Sequence, residues 1–302
     1  MTIFQKIGTR LKNLFERFLV DHSNRLRLEH APSNSASQLA LSIAYRQLVA
    51  SGAPLPSFKE VGFKAYSQTD EDGILLFIFS IIGVTNKKCV EICAGHGMEC
   101  NTANLIIHHG WNGLLFDGDP KLVRQGNAFY RHHKATFADP PTFVCSWIKR
   151  DTINEVIEQN GFSGEIDLLS LDMDGVDYWI WEALEVIKPR VVILEYQDII
   201  GPEKSISVPY ADDFNAYVHP TTNSAPNFSG ASLAAFVKLG RRKGYRLVGC
   251  NQSGYNAFFV KDGIADRLIP EIPVSDCFNI PKVIWGMKYR WPTVANLPWV
   301  EV

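Results

Sequence analysis

At 302 residues, 46% of them hydrophobic and 21% charged, the chain can bury a full α/β core, and one domain with extensions fits it better than two independent units. Thirty basic side chains against 32 acidic ones leave a formal net charge of −2, which excludes a strong overall field for nucleic acid. No apolar run reaches the roughly 20 residues that a membrane span needs, and the start lacks the apolar core and cleavage site of a signal peptide, so a cytoplasmic location is expected.

Residues 3–20 carry Ile3, Phe4, Ile7, Leu11, Leu14, Phe15, Phe18 and Leu19 at helical spacing, with Lys6, Arg10, Lys12 and Arg17 largely on other faces. Such a basic amphipathic segment suits packing on the body, contact with a second subunit in a homo-oligomer, or peripheral docking on an anionic membrane surface. A second helix is predicted over 37–50. The break GAPLPSF then separates an N-terminal helical extension (1–56) from a main domain (57–262), and a Pro- and Trp-rich tail (263–302) wraps that domain.

Thr69 is placed to cap a helix running through Ile82, and KCVEIC (88–93) reads as a buried strand. A helix to His109 stops at Gly110, and GLLFD ends a second strand at Asp117. His108 and His109 suit the negative end of that helix as cations and are assigned no chemistry. TFVCSWI, IDLLSLD and RVVILE complete five strand candidates separated by helices, including one over Tyr178–Ile187. This order implies a parallel sheet covered on both faces, with ligands at the carboxyl ends of its strands. A further helix at about 231–243 precedes YRLVGC and NAFFVK, which the turn NQSGY joins into an antiparallel hairpin. The six cysteines form no C-x-x-C pair and no zinc spacing, so they are expected to be reduced.

The turn after the first strand, EICAGHGMEC, places Gly95 and Gly97 where the backbone can approach a ligand closely and adopt positive φ. Asp117 ends the next strand, where a carboxylate can accept hydrogen bonds from both ribose hydroxyls of an adenosine. These features suit NAD as well as S-adenosylmethionine. Two details favour the latter: Cys100 replaces the third glycine of the dinucleotide fingerprint, and Glu91 would repel a pyrophosphate but hold the ammonium of a methionine moiety.

The stretches YSQTDEDGIL, KCVEICAGHGMECNTANL, GWNGLLFDGDP, IDLLSLDMDGVDYWIW, RVVILEY and GYNAFFVK, taken together, resemble the FkbM-type methyltransferases and their close relatives within the class I fold, over about residues 66–262. The resemblance implies a Rossmann-like class I methyltransferase sheet of seven strands, the last antiparallel, flanked by helices. It also implies S-adenosylmethionine across the ends of the first and second strands. Glu91, Gly95 and Gly97 would line its methionine and ribose, Asp117 would hold the ribose, and Gln68 would lie near. His96 stands where similar sequences often carry Asp, and it is expected to point outward.

LDMDGVD and ILEY bring Asp172, Asp174, Asp177 and Glu195 toward the same edge, with Asp172 and Asp174 on one side of the chain if the strand runs that far. Acids there can take a proton from a substrate hydroxyl, hold Mg²⁺, or hydrogen-bond substrate hydroxyls, while Asp174 or Asp177 can instead cap the following helix. Asp172, Asp174 and Glu195 are the expected catalytic set. The segment 196–230, with Tyr210 and His219, has the length and polarity of a substrate lid; His219 is either a second base or a solvent-facing loop residue. The leading expectation is an S-adenosylmethionine-dependent O-methyltransferase acting on a hydroxyl of a sugar, glycan or other polar secondary metabolite. The alternatives are an NAD-dependent oxidoreductase, for which no Tyr-x-x-x-Lys pair is evident, and a non-catalytic assembly protein of the same fold.

Overall fold

Five runs rich in Val, Ile and Leu become the parallel strands β1 (Lys88–Ile92), β2 (Asn112–Asp117), β3 (Thr142–Cys145), β4 (Gly164–Leu171) and β5 (Ile187–Glu195). The short β6 (Ile206–Ser207) follows, then β7 (Tyr245–Cys250), β8 (Asn256–Lys261) and the short β9 (Val300–Glu301), which pairs with β6. The computed structural model describes residues 35–216 and 227–302, so the basic segment 3–20 and His219 lie outside the described residues.

The seven long strands form one sheet in the order β3-β2-β1-β4-β5-β8-β7. β8 runs antiparallel to both β5 and β7, and the other strands share one direction. This order and the single reversed strand define the Rossmann-like class I methyltransferase sheet. The central strands are apolar on both faces, as parallel strands covered by helices must be. Leu168, Leu169, Leu171, Val191, Val192 and Leu194 are fully inaccessible, and each such side chain contributes about 1.5–3 kcal/mol relative to exposure.

The helices are α1 (Ser35–Ser51), α2 (Phe58–Val61), α3 (Glu71–Ile82), α4 (Ala103–His109), α5 (Pro120–His132), α6 (Ile153–Gln159), α7 (Asp177–Ala183), α8 (Leu233–Lys243) and α9 (Pro281–Tyr289). Residues of α6, α7 and α8 pack into the core on one face of the sheet, and residues of α1, α3, α4 and α5 into the core on the other. The described part of the N-terminal extension thus belongs to the body: Tyr45 meets Phe77 edge-on at 5.0 Å, and Gln38 bonds Asn104 at 2.9 Å. The Pro-rich break is itself structured, with the Ser57 N–H donating to Glu60 at the start of α2.

Two helix limits differ from the sequence expectation. Asp70, not Thr69, stands at the N-cap position of α3, because the Thr69 hydroxyl and N–H are both drawn to Glu71. α7 ends at Ala183 rather than Ile187, since Ile187 already pairs with Gly164 in the sheet. At the opposite end of the sheet from the carboxyl termini of the strands, the inaccessible Asp167 accepts from the N–H groups of Thr85, Asn86 and Lys87 and from Arg190 at 2.8 Å. Burial opposes its ionisation, but the Arg190 and backbone bonds hold its carboxyl below the ordinary range.

The chain leaves β1 toward β2 and β3, then returns to lay β4 on the other side of β1. The strand order therefore reverses at β1, and a crevice opens between the carboxyl ends of β1 and β4, where open α/β sheets bind ligands.

Candidate functional site

The residues lining that crevice start at the end of β1. Cys93, Gly95 and Gly97 all adopt positive φ, at 64°, 59° and 68°. A Cβ on Gly97 would lie 2.7 Å from the Phe143 ring and 3.0 Å from Tyr130, whereas one on Gly95 would meet nothing within 4 Å. Gly97 is thus required by packing beneath the turn, and Gly95 faces open space. The Gly95 N–H donates to Asp117 at 2.9 Å and the Asp119 N–H to the other Asp117 oxygen at 2.8 Å, which fixes this carboxylate against the glycine turn. Each oxygen retains a further acceptor position. Lys64 joins the exposed Gln68 to the same turn, donating to the Gln68 carbonyl at 3.0 Å and to Glu99 at 3.2 Å. His96 is half-buried and accepts the Met98 N–H at 3.2 Å, so it serves the turn locally rather than pointing freely outward.

Glu91 is placed differently from the expectation that it holds an ammonium. Its side chain is buried and turned toward the start of α4. One oxygen accepts from the Asn101 N–H and the Ser170 hydroxyl, the other from the N–H and hydroxyl of Thr102. These four bonds use the acceptor capacity of the carboxylate, so Glu91 organises the helix entrance behind the turn. His108 and His109 also differ from expectation. Burial lowers both, His109 to about 4, so they are neutral at pH 7 and bond Ser35 and Gln38 instead of opposing the helix dipole as cations.

β4 ends at Leu171, so the convergence of the acids comes from a turn and not from strand alternation. Asp174 sits at φ 54° on the exposed rim, and one oxygen each of Asp172, Asp174 and Glu195 lie within 4.8 Å of one another. Asp172 and Glu195 are close neighbours, near enough to disfavour ionisation of both carboxyls together. Burial, then the charges of Asp177, Asp174 and Glu91, push Asp172 up to about 7 against the lowering bond from Glu195. Burial and Asp172 raise Glu195 well above the carboxylate range. Asp177 accepts from the Met173 N–H at 2.7 Å and the Gly175 N–H at 3.1 Å, so it braces the turn from the first residue of α7.

Cys93 links the two halves. It is accessible to water yet closely surrounded, as the floor of a cleft is, and its thiol is raised by that surrounding and by the charges of Asp177, Asp117, Asp172 and Asp174. Asp117 and Asp172 therefore stand on either side of Cys93 at the carboxyl edge of the sheet.

The linkage has a definite sign. Asp172 is ionised near pH 4 in the unfolded chain but only near pH 7 in the folded one, and Glu195 is raised as well, so the pair makes folding stability fall as pH rises above about 4. Replacing Asp172 with Asn removes its share of this loss. The variant is expected to gain stability over the parent as pH climbs from about 4 to 7, measured by urea unfolding across that range. A margin independent of pH contradicts the assigned environment.

Sequence reasoning missed the wall beside Glu195. Asn256 is its partner on β8, and Glu71 accepts from Asn256 at 2.9 Å, Asn251 at 2.8 Å and the Thr69 hydroxyl at 2.9 Å. Tyr255 stands above them, its pKa raised by burial and also by Glu71, Glu195 and Asp172. The available signal was the hairpin turn NQSGY, which the topology places at the carboxyl edge. The described part of the 196–230 segment spans the cleft. Tyr210 and Asp212 bond Arg150, Trp147 and Lys149 beyond β3, while the Phe214 ring packs on Gly175. A separate cavity of about 610 Å³, between Lys204, Trp291 and Trp299, shares no residue with this cleft.

No family model matches the sequence, and no curated protein does. Similar solved structures include magnesium protoporphyrin IX methyltransferase (ChlM) from Synechocystis PCC 6803 with bound SAM, at 11% identity over 84% of this chain and 96% of that one, TM-score 0.40. The O-methyltransferase from Bacillus cereus in complex with SAH shares 15% identity over 76% and 91%, TM-score 0.41. The N-terminal domain of EvdMO1 with SAH bound shares 16% over 67% and 92%, TM-score 0.39. At these scores the fold assignment stays with the strand order and directions.

Proposed function

We propose that the protein is an S-adenosylmethionine-dependent O-methyltransferase of the FkbM type, acting on a hydroxyl of a sugar or another polar glycan or secondary-metabolite acceptor. The observation that carries this reading is the close carboxyl pair Asp172–Glu195 at the same edge of the sheet as a glycine turn braced by Asp117. The residues fit the cofactor: Gly95 leaves open space at the turn, Asp117 keeps acceptor positions for ribose hydroxyls, and the Trp147 ring lying against Gly118 offers a flat surface beside them. Glu91 is not part of this cradle.

S-adenosylmethionine supplies a methyl group on a sulfonium, which is already an excellent leaving group. What remains for the protein is position and one proton. The acid pair, sharing a proton, keeps one ionised oxygen that can accept the proton of the acceptor hydroxyl as the new C–O bond forms. Asp174, at the rim, can hold a second hydroxyl. The same three carboxylates have the oxygen-only character that Mg²⁺ takes, and an ion there would replace the shared proton and lower the pKa of the hydroxyl.

The cofactor half of the proposal is tested at Asp117. Asp117→Ala is expected to weaken S-adenosylhomocysteine binding by about 1–3 kcal/mol, the scale of charge-assisted hydrogen bonds to ribose, in a protein that remains folded. Calorimetry on the purified variant measures it. An unchanged dissociation constant removes Asp117 from the site.

A further inference from the structure

α9 (Pro281–Tyr289) carries an apolar face that packs inward and another that does not. Val283 is inaccessible, and a Cβ on Gly286 would lie 3.0 Å from Ile199, so the helix is seated closely on the 198–200 turn with its orientation fixed. On the outer side, Ile284, Trp285 and Tyr289 are 51%, 56% and 53% exposed, and the two aromatic rings lie 5.5 Å apart. Soluble surfaces carry scattered single hydrophobes, but three grouped on one rigid helix mark an interaction site.

The charges beside this face select the occupant. Residues 277–300 contain Lys282, Lys288 and Arg290 and no Asp or Glu, in a chain whose net charge is −2. Lys282 and Lys288 are exposed and flank the apolar side chains. A two-fold contact with a second copy would set these lysines against their own counterparts. A helix of nine residues is also about 13 Å long, too small to supply alone the roughly 800 Å² per partner of a stable dimer. An aromatic and aliphatic patch framed by lysines is, by contrast, the composition that lies at the headgroup level of a bilayer.

We propose that the outer face of α9 docks on an anionic lipid surface. Ile284, Trp285 and Tyr289 enter the headgroup boundary, and Lys282 and Lys288 meet the lipid charge. The contact is next to the cleft, because Ile280 and Val283 pack against Gly254 of the hairpin turn and the Lys282 ammonium lies 5.1 Å from the centre of the Tyr255 ring. Docking would therefore present the mouth of the cleft to the membrane plane. The proposal does not depend on methyl transfer.

The test is co-sedimentation of the full chain with large unilamellar vesicles of phosphatidylcholine alone or mixed equally with phosphatidylglycerol, near physiological salt. The parent protein is expected to partition onto the anionic vesicles. The triple variant Ile284→Ser, Trp285→Ser, Tyr289→Ser should lower that partition by about tenfold or more, and Lys282→Glu with Lys288→Glu should lower the preference for phosphatidylglycerol. Residues 1–34 are unchanged in every variant, so any binding they carry stays in all of them. Trp285→Phe keeps the apolar face, and should bind while losing part of the tryptophan quenching by brominated acyl chains. Failure of the parent protein to bind anionic vesicles, or equal partition of parent and triple variant, overturns the proposal. So does a shift of the triple variant from oligomer to monomer in sedimentation equilibrium without a change in vesicle binding.

Discussion

Asp172→Asn and Glu195→Gln are each expected to lower turnover by about 100-fold or more, the usual scale for general acid-base help, while leaving S-adenosylhomocysteine affinity within a few-fold. The separation of binding from chemistry follows from geometry. Asp117 and the glycine turn are held by bonds that do not involve the acid pair, and the pair stands at the ends of β4 and β5. Either substitution breaks the proton-sharing pair that receives the acceptor proton. Asp172→Asn also relieves the buried charge, so it should stabilise the protein as it disables it, a trade expected of functional residues held in a costly environment. The assay is release of S-adenosylhomocysteine, first screened over nucleotide sugars and glycosides to find an acceptor. Loss of activity in EDTA with rescue by Mg²⁺ would assign the acids to an ion, and indifference would assign them to proton transfer. If both variants turn over the identified acceptor at the parental rate, the acids are bystanders.

Glu91→Ala is expected to destabilise the fold by about 3 kcal/mol or more, because buried donors of Asn101 and Thr102 lose their acceptor together. In a chain of this size that corresponds to a melting temperature lower by about 5 °C. The variant also separates two roles. A carboxylate that organises α4 affects the unfolding midpoint first, and ligand affinity only as the turn loosens. A carboxylate that holds an ammonium would spare the midpoint and abolish affinity. Denaturant unfolding beside calorimetry with S-adenosylhomocysteine at low temperature tells them apart, and a parental midpoint with lost binding would return Glu91 to the cofactor cradle.

The sheet was legible because its signals are local and redundant. Each central strand is a short apolar run, Gly110 stops α4 in the left-handed conformation, and NQSGY separates two strands that pair as expected. The carboxyl ends of those strands then located Asp117, Asp172 and Glu195 without any contact information. What was not legible depends on direction and on distant partners. The orientation of Glu91 is set by Thr102 and Ser170, ten or more residues away in sequence. The neutrality of His109 follows from burial under α1. Asp174 reaches the site through a left-handed turn that strand periodicity does not describe. α9 was hidden in a segment whose prolines and tryptophans read as irregular tail, although Pro281 in fact occupies the first helical position, where its missing N–H costs nothing.

The cleft at the β1–β4 reversal is expected to bind S-adenosylmethionine and not a dinucleotide. Isothermal calorimetry of the full chain against S-adenosylhomocysteine and against NAD, under one buffer condition, tests it most directly. Saturable binding of S-adenosylhomocysteine at one site per chain and no heat of binding with NAD are expected. Saturable NAD binding with no response to S-adenosylhomocysteine would contradict it.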